Sequence, residues 1–260
     1  MRIPLLLHGA TGRMGRAVRA CLAEAPEVAL VACAAPDRDD GPCPGDCAWL
    51  SPEDLAGPAG LAALPPDLVV LDVSLAPGTE RLVGLLERAP RALVAATTGL
   101  SSGTEERIRV LGTRTAVLRA TNLSVGVASL LAMLGALPAA ARAAFDADVV
   151  EHHHAMKKDA PSGTALSIAA ALSPGAPDRV RFAAPASSPR EPGDVRIHSI
   201  RSGAAPGTHR VLLAGAGETL EVTHIAHDRA IFARGALRAV RFVHGREPGV
   251  YSFLDALHSN

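Results

Sequence analysis

Five short apolar runs divide the first half of the chain: IPLLLHG from residue 3, VALVACA (28–34), DLVVLDVS (67–74), ALVAATTG (92–99) and TAVLRATN (115–122). Between them lie helix-like stretches at 13–25, 77–89 and 102–112, with a Pro-, Asp- and Gly-rich loop after the second run. The runs are apolar throughout, without the polar–apolar alternation of a strand that shows one face to water. Such strands are buried on both sides, and strand–helix alternation makes them parallel. The layout is α/β, a doubly wound, Rossmann-type nucleotide-binding sheet.

After Asn122 the pattern changes. An apolar helix over 125–137 leads to the strand DADVVEHHH, a loop holding two lysines, and a helix opening at SGTALSIAAAL. A Pro- and Ser-rich loop (183–193) precedes two alternating runs, DVRIHSIRSG and HRVLLAGAGETLEVTHIA, which read as antiparallel strands. The last stretch, AIFARGALRAVRFVHG, is helical again. A second, α+β domain over residues 125–229 therefore interrupts a nucleotide-binding half (1–124) and a C-terminal helical return (230–260).

With 48% apolar residues but only 3% aromatic, the cores must be built from Leu, Val and Ala. Formal net charge is zero, which argues against nucleic acid or an anionic membrane as partner. No uninterrupted apolar stretch is long enough to span a bilayer, and the N-terminus lacks the h-region and cleavage site of a signal peptide. Cys21, Cys33, Cys43 and Cys47 form no disulfide or zinc framework; Cys43 and Cys47 are close enough in CPGDC to bridge, but reduced thiols in a cytoplasmic protein are expected.

HGATGRMG places Gly9, Gly12 and Gly15 where the first strand turns into a helix. Glycines there let the backbone approach a pyrophosphate, whose charge sits against the helix N-terminus. The spacing is G-x-x-G-x-x-G. The acid expected after the second strand, for an adenosine ribose hydroxyl, is replaced by Ala35 and Pro36, with Asp37 and Arg38 close behind. An acid favours NADH and an arginine accommodates the 2′-phosphate of NADPH, so the choice stays open.

EHHHAMKKDAPSGTA (151–165) runs from a strand end through a loop into a helix start, with Ser162 as natural N-cap. Lys157 and Lys158 are the only lysines; the other 24 basic residues are arginine. A lysine amine can give up a proton, whereas guanidinium does not. Backbone N–H groups of Gly163 and Thr164, the Thr164 hydroxyl and Lys157 suit an anion, and a histidine four residues before Lys157 can move a proton near neutral pH. Together they describe a site for a carboxylate-bearing substrate that accepts a proton. Adjacent strand residues point to opposite faces, so at most two of the three histidines converge. H-E-x-x-H spacing is absent and no metal is expected. His152 reads as structural and Lys158 as a solvated neighbour.

The run E-x-H-H-x-x-x-K-x-D-A-P-S-G-T-A, with the N-terminal G-x-x-G-R-M-G, closely resembles the 4-hydroxy-tetrahydrodipicolinate reductase (dihydrodipicolinate reductase) family. ATTGL (96–100), ATNLSVGV (120–127), IHSIRSG, GETLEVTHIAHDRAIFARGALRAV and GVYSFLDAL are similar to further family signatures, so the resemblance covers most of the chain. It implies NADH- or NADPH-dependent reduction of a small dicarboxylate in the diaminopimelate route to lysine. It implies His153 as proton donor with Lys157 as catalytic partner, and His154, Lys157, Ser162, Gly163 and Thr164 around the substrate's carboxylates. Gly9, Ala10, Thr11, Gly12, Arg13, Met14, Ala96, Thr97, Thr98, Ala120, Thr121, Asn122 and Leu123 would line the coenzyme. The C-terminal segment would complete the nucleotide-binding domain, and the second domain would bind substrate and form a homotetramer.

Five positions depart from the family pattern. Ala35 and Pro36 replace an acid and arginine, Leu75 an arginine, Ala96 a glycine, and Thr208 the glutamate of G-E-H. All but Thr208 lie on the coenzyme side. A related amino- or imino-acid dehydrogenase would share the glycine loop without needing KKDAPSGT, and a non-catalytic dinucleotide sensor would not need the complete His–Lys–SGT cluster.

Overall fold

A computed structural model describes residues 2–39, 41, 47–58, 60–182 and 188–258. They form two units, residues 1–123 with 230–260, and residues 124–229. Cys43, most of the 36–48 loop tip and the first half of the 183–193 loop lie outside the described residues.

The first unit is a seven-stranded, wholly parallel sheet. Its strands are β1 (Ile3–His8), β2 (Val28–Ala34), β3 (Ala48–Leu50), β4 (Val69–Asp72), β5 (Ala92–Ala95), β6 (Ala116–Arg119) and β12 (Gly249–Tyr251), in the order β12-β6-β5-β4-β1-β2-β3. Helices α1 (Arg13–Cys21), α2 (Pro52–Ala56), α3 (Ala76–Arg88), α4 (Ser102–Leu111), α8 (Ala230–Val243) and α9 (Asp255–His258) belong to the same unit. Leu5, Leu6, Leu7, Val69, Val70, Leu71, Leu93 and Val94 are fully buried, the signature of strands covered on both faces. Edge strands β3 and β12 are three residues each, too short to stand out as apolar runs. The chain turns to opposite sides of β1 as it makes β2 and β4. That reversal opens a crevice outside the carboxyl ends of these strands.

Helix α1 stops at Cys21 and continues as one 3₁₀ turn, Leu22–Glu24, so the helical reach to residue 25 is nearly met. Helix α8 packs on α1 and on β4, β5 and β6. Its stripe of Ala233, Ala236, Leu237, Val240 and Val243 is buried. At Gly235 the backbone is so close that an added Cβ would lie 1.7 Å from the Leu123 carbonyl oxygen.

The second unit holds α5 (Val125–Gly135), α6 (Ala139–Ala144), β7 (Asp146–His153), α7 (Gly163–Leu172), β8 (Val180–Phe182), β9 (Val195–Arg201), β10 (Gly207–Ala214) and β11 (Thr219–Ala226). Its sheet runs β11-β10-β7-β9-β8. Leu130 and Leu134 of α5 and Ala165, Ile168 and Leu172 of α7 pack with Val149, Ile197, Val211 and Leu213 of the sheet. Strand β7 alternates strictly, with Ala147, Val149, Glu151 and His153 inward.

One expectation is corrected. DVRIHSIRSG is not antiparallel: β9 pairs parallel with both β7 and β8. Helix α7 carries the chain across the sheet before β8 and β9 form, and a crossover returns a strand in the same direction. HRVLLAGAGETLEVTHIA does fold as an antiparallel hairpin, β10 with β11.

Gly235→Ala should destabilise the first unit by about 1–3 kcal/mol, read as a lower urea midpoint, because the methyl meets backbone that cannot yield. Gly103→Ala, whose Cβ would find only Ser101 Oγ at 3.8 Å, should leave the midpoint unchanged or raise it.

Candidate active site

In the first unit, Gly9 takes a positive φ of 84° and would place a Cβ 2.7 Å from Ser74 Cα, so only glycine fits this turn. A Cβ on Gly15 would lie 2.3 Å from the Gly9 carbonyl oxygen; its absence lets α1 start tight against the loop. Gly12 is the N-cap of α1, with no side-chain cap and no acid in the first turn. This bare helix start suits a pyrophosphate and fits a dinucleotide. Ala10 is buried, while Thr11, Gly12, Arg13 and Met14 reach the surface to differing degrees. Ala96, Thr97 and Thr98 follow β5, and Ala120, Thr121, Asn122 and Leu123 follow β6, so both loops leave carboxyl ends of neighbouring strands.

Beneath these loops sits a residue that sequence reasoning passed over. Asp72, at the end of β4, has no exposed surface. It pairs with His8 Nδ1 at 2.7 Å and accepts hydrogen bonds from Ser74 Oγ at 2.6 Å, Thr97 Oγ1 at 3.0 Å and Thr79 Oγ1. Burial alone would raise its carboxyl pKa, but His8, Ser74 and Thr79 outweigh that and hold it below the ordinary value. Thr97 is thus turned inward to Asp72, while Thr98 is exposed. The signal was an aspartate ending an otherwise apolar strand.

Of the departures, Leu75 is 79% exposed at the N-cap of α3 and Ala35 is buried. Arg38 lies over the Trp49 ring, 5.6 Å from its centroid. Asp39 is claimed by Arg16 at 2.8 Å and Arg19 at 2.6 Å; despite the opposing effect of desolvation, these hold its pKa at about 2. Cys47 Sγ lies 3.7 Å from Cys33 Sγ.

In the second unit the strand alternation separates the three histidines. His152 turns to the outer face and contacts Ser202 Oγ at 2.9 Å, a structural partner. His153 points inward, where its Nδ1 donates to the Glu151 carboxylate, and Glu151 has no exposed surface. Glu151 also accepts from Arg201 at 2.6 Å and from the Ser162 backbone N–H at 3.3 Å. Burial lowers the His153 pKa, and Glu151 opposes that fall. A Cβ on Gly207 would approach His153 Nε2 to 3.0 Å, so this glycine keeps the ring's outer nitrogen clear.

Ser162 caps α7 by accepting from Ala165 N–H at 3.2 Å. Its hydroxyl meets His209 Nε2 at 3.3 Å. Burial, helped by His153, pushes the His209 pKa down to about 3, so this ring is neutral beside His153, 5.2 Å away between centroids. A Cβ on Gly163 meets nothing within 4 Å, so the start of α7 is open to a ligand. Thr164 and His154 are partly exposed. Lys157 pairs with Asp159 at 2.8 Å, and Lys158 is exposed. Glu151, His209, Arg201 and Asp159 were not singled out from sequence, although Glu151 opens the His–Lys motif and Asp159 lies within it.

Family models described as dihydrodipicolinate reductase, N-terminus and C-terminus, match residues 3–123 and 126–257. The chain belongs to the dihydrodipicolinate reductase family. It is 37% identical to the 4-hydroxy-tetrahydrodipicolinate reductase of Rubrobacter xylanophilus, over 99% of both chains. It is 38% identical to the enzyme of that name from Stenotrophomonas maltophilia, over 97% of both. Among solved structures, dipicolinate-bound dihydrodipicolinate reductase from Paenisporosarcina sp. TG-14 superposes with a TM-score of 0.76 at 22% identity, covering 98% of this chain and 99% of that one. A myo-inositol dehydrogenase from Corynebacterium glutamicum shares the fold more distantly, with a TM-score of 0.56 at 15% identity over 99% of this chain and 93% of that one. As in this reductase family at large, the first unit is an NAD(P)-binding fold. Among the described residues no group of His, Cys, Asp or Glu is arranged to hold a metal ion, and no helix is long and apolar enough to cross a membrane.

The Asp72 carboxyl has a depressed folded-state pKa, so its stabilisation is present above the unfolded value, about 3.9, and is lost as pH falls through the folded value. Asp72→Asn should therefore be less stable than wild type by about 1–3 kcal/mol at neutral pH. The gap, followed by denaturant titration, should close below about pH 4.

Proposed function

We propose that this chain reduces 4-hydroxy-tetrahydrodipicolinate to tetrahydrodipicolinate with NADH or NADPH, in the diaminopimelate route to lysine. The carrying observation is the convergence of His153, held by buried Glu151, with the capped but open start of α7 and with Lys157. Family membership over both halves of the chain supports the reading.

Residues 1–124 with 230–260 serve as coenzyme domain and residues 125–229 as substrate and tetramerisation domain. Gly9–Met14 with Ala96–Thr98 and Ala120–Leu123 line the coenzyme, the Arg13 and Met14 N–H groups at the uncapped start of α1 holding the pyrophosphate. The substrate's 4-hydroxyl leaves as water, and a bound reduced nicotinamide would supply the hydride that C4 takes in its place. The N–H groups at Gly163 and Thr164, the Thr164 hydroxyl, Ser162, His154 and the Lys157 ammonium hold the substrate carboxylates and so orient the ring. His153 donates a proton from Nε2 to the ring, and Lys157 assists with its own charge and protons. Ile200 and Ile225, exposed on the sheet, supply apolar surface for a homotetramer. A biosynthetic reductase of this kind works where reduced nicotinamide is regenerated, which makes it cytoplasmic.

The test follows oxidation of NADH and of NADPH by absorbance with freshly generated 4-hydroxy-tetrahydrodipicolinate. Wild type should turn over, and Lys157→Ala and Lys157→Arg should each lose on the order of 100-fold or more in kcat, since guanidinium restores charge but not the proton chemistry. No turnover with either coenzyme by folded wild type would overturn the proposal. The coenzyme ratio decides what Ala35 and Pro36 leave open.

A further inference from the structure

We propose that Glu151 is the positioning residue of this site: its buried carboxylate holds the His153 ring by Nδ1, presents Nε2 outward, and ties the proton donor to the carboxylate cradle at α7. The inference rests on the reading of His153 as proton donor.

Glu151 and His153 are two apart on β7 and so share its inner face. In the register of the sheet, Glu151 lies opposite His209 of β10, and His153 opposite Arg201 of β9. One carboxylate oxygen takes His153 Nδ1. The other takes the Arg201 guanidinium at 2.6 Å and the Ser162 N–H at 3.3 Å. Arg201 also donates to the Asp159 carbonyl at 2.6 Å, and the Asp159 side chain holds Lys157. Proton donor, helix N-cap and lysine loop are thereby hung on one ion pair. A histidine with Nδ1–H fixed by a carboxylate has its tautomer and orientation set, leaving Nε2 for chemistry.

The groups that face His153 are Glu151 on its own strand, Arg201 from β9, His209 from β10 with His224 behind it, and Lys157 and Asp159 from the loop. Arg201 and Lys157 oppose a positive His153, as does burial; Glu151 is the anion that favours it. Removing that charge should lower the pH at which His153 gives up its proton. A general acid active only when protonated then loses activity at lower pH.

The bland competitor is that Glu151 merely completes a buried ion pair that holds the sheet together. Glu151→Gln separates the two, because the amide keeps the shape and can still hydrogen-bond. In NMR titrations without substrate, His153 should titrate at lower pH in this variant than in wild type. With substrate, kcat should fall about 10- to 100-fold. The alkaline limb of the pH profile should shift the same way, and KM should change by less than about 2-fold, because the amide oxygen still accepts from Arg201 and the Ser162 N–H. Introduced into His153→Ala, Glu151→Gln should cost little more, since a residue acting through His153 has nothing left to position. An equal loss in both backgrounds, or an unmoved His153 titration, overturns the proposal. If Glu151→Gln does not fold, the titration is read in Glu151→Asp, whose shorter reach should still lower it; no change there is equally decisive. Failure of wild type to turn over would count against the reductase reading, while the substrate-free titration still decides the role of Glu151.

Discussion

A carboxylate with no exposed surface persists as an anion only if its surroundings repay the lost hydration, several kcal/mol per ion. Glu151 meets that demand with partners from separate segments: His153 on its own strand, Arg201 ending β9, and the Ser162 N–H entering α7. The parallel register of β7 and β9 makes this possible, because it places Arg201 opposite His153. An antiparallel β9 would set another residue there. Helix α7 follows β7 and packs on both β7 and β9, and its N-cap residue Ser162 brings a backbone N–H to the same carboxylate. The crossings that follow β7 thus bring Arg201 and Ser162 to one carboxylate.

The first unit uses the same device for another purpose. Asp72 gathers His8 from β1, Ser74 and Thr79 around the start of α3, and Thr97 after β5. These are the strand ends that border the crevice where the strand order reverses. The carboxylate therefore ties together the loops that leave β1, β4 and β5, while Gly9 and Gly15 let the first of them pack close. In the loop after β2, two of the charges are already engaged. Asp39 is bound by Arg16 and Arg19, and Arg38 rests on Trp49, while Asp37, the first acid after Ala35, is exposed.

The sequence by itself determined what depends on local rules. Unalternating apolar runs required strands buried on both faces, and DAPSGTA required a capped helix start. The glycine triplet required a tight strand-to-helix turn. Strict alternation along β7 separates His152 from His153. Tertiary structure decided what depends on register between distant segments. The direction of β9, the edge strands β3 and β12, and the meeting of Glu151 with Arg201 and His209 arise from pairings between separate segments of the chain, for which propensity carries no information. Asp72 stood in the sequence as a single acid in apolar company and Glu151 as an acid ahead of three histidines. Only the folded chain shows that they are paired, because a buried charge takes its meaning from the partners that surround it in space.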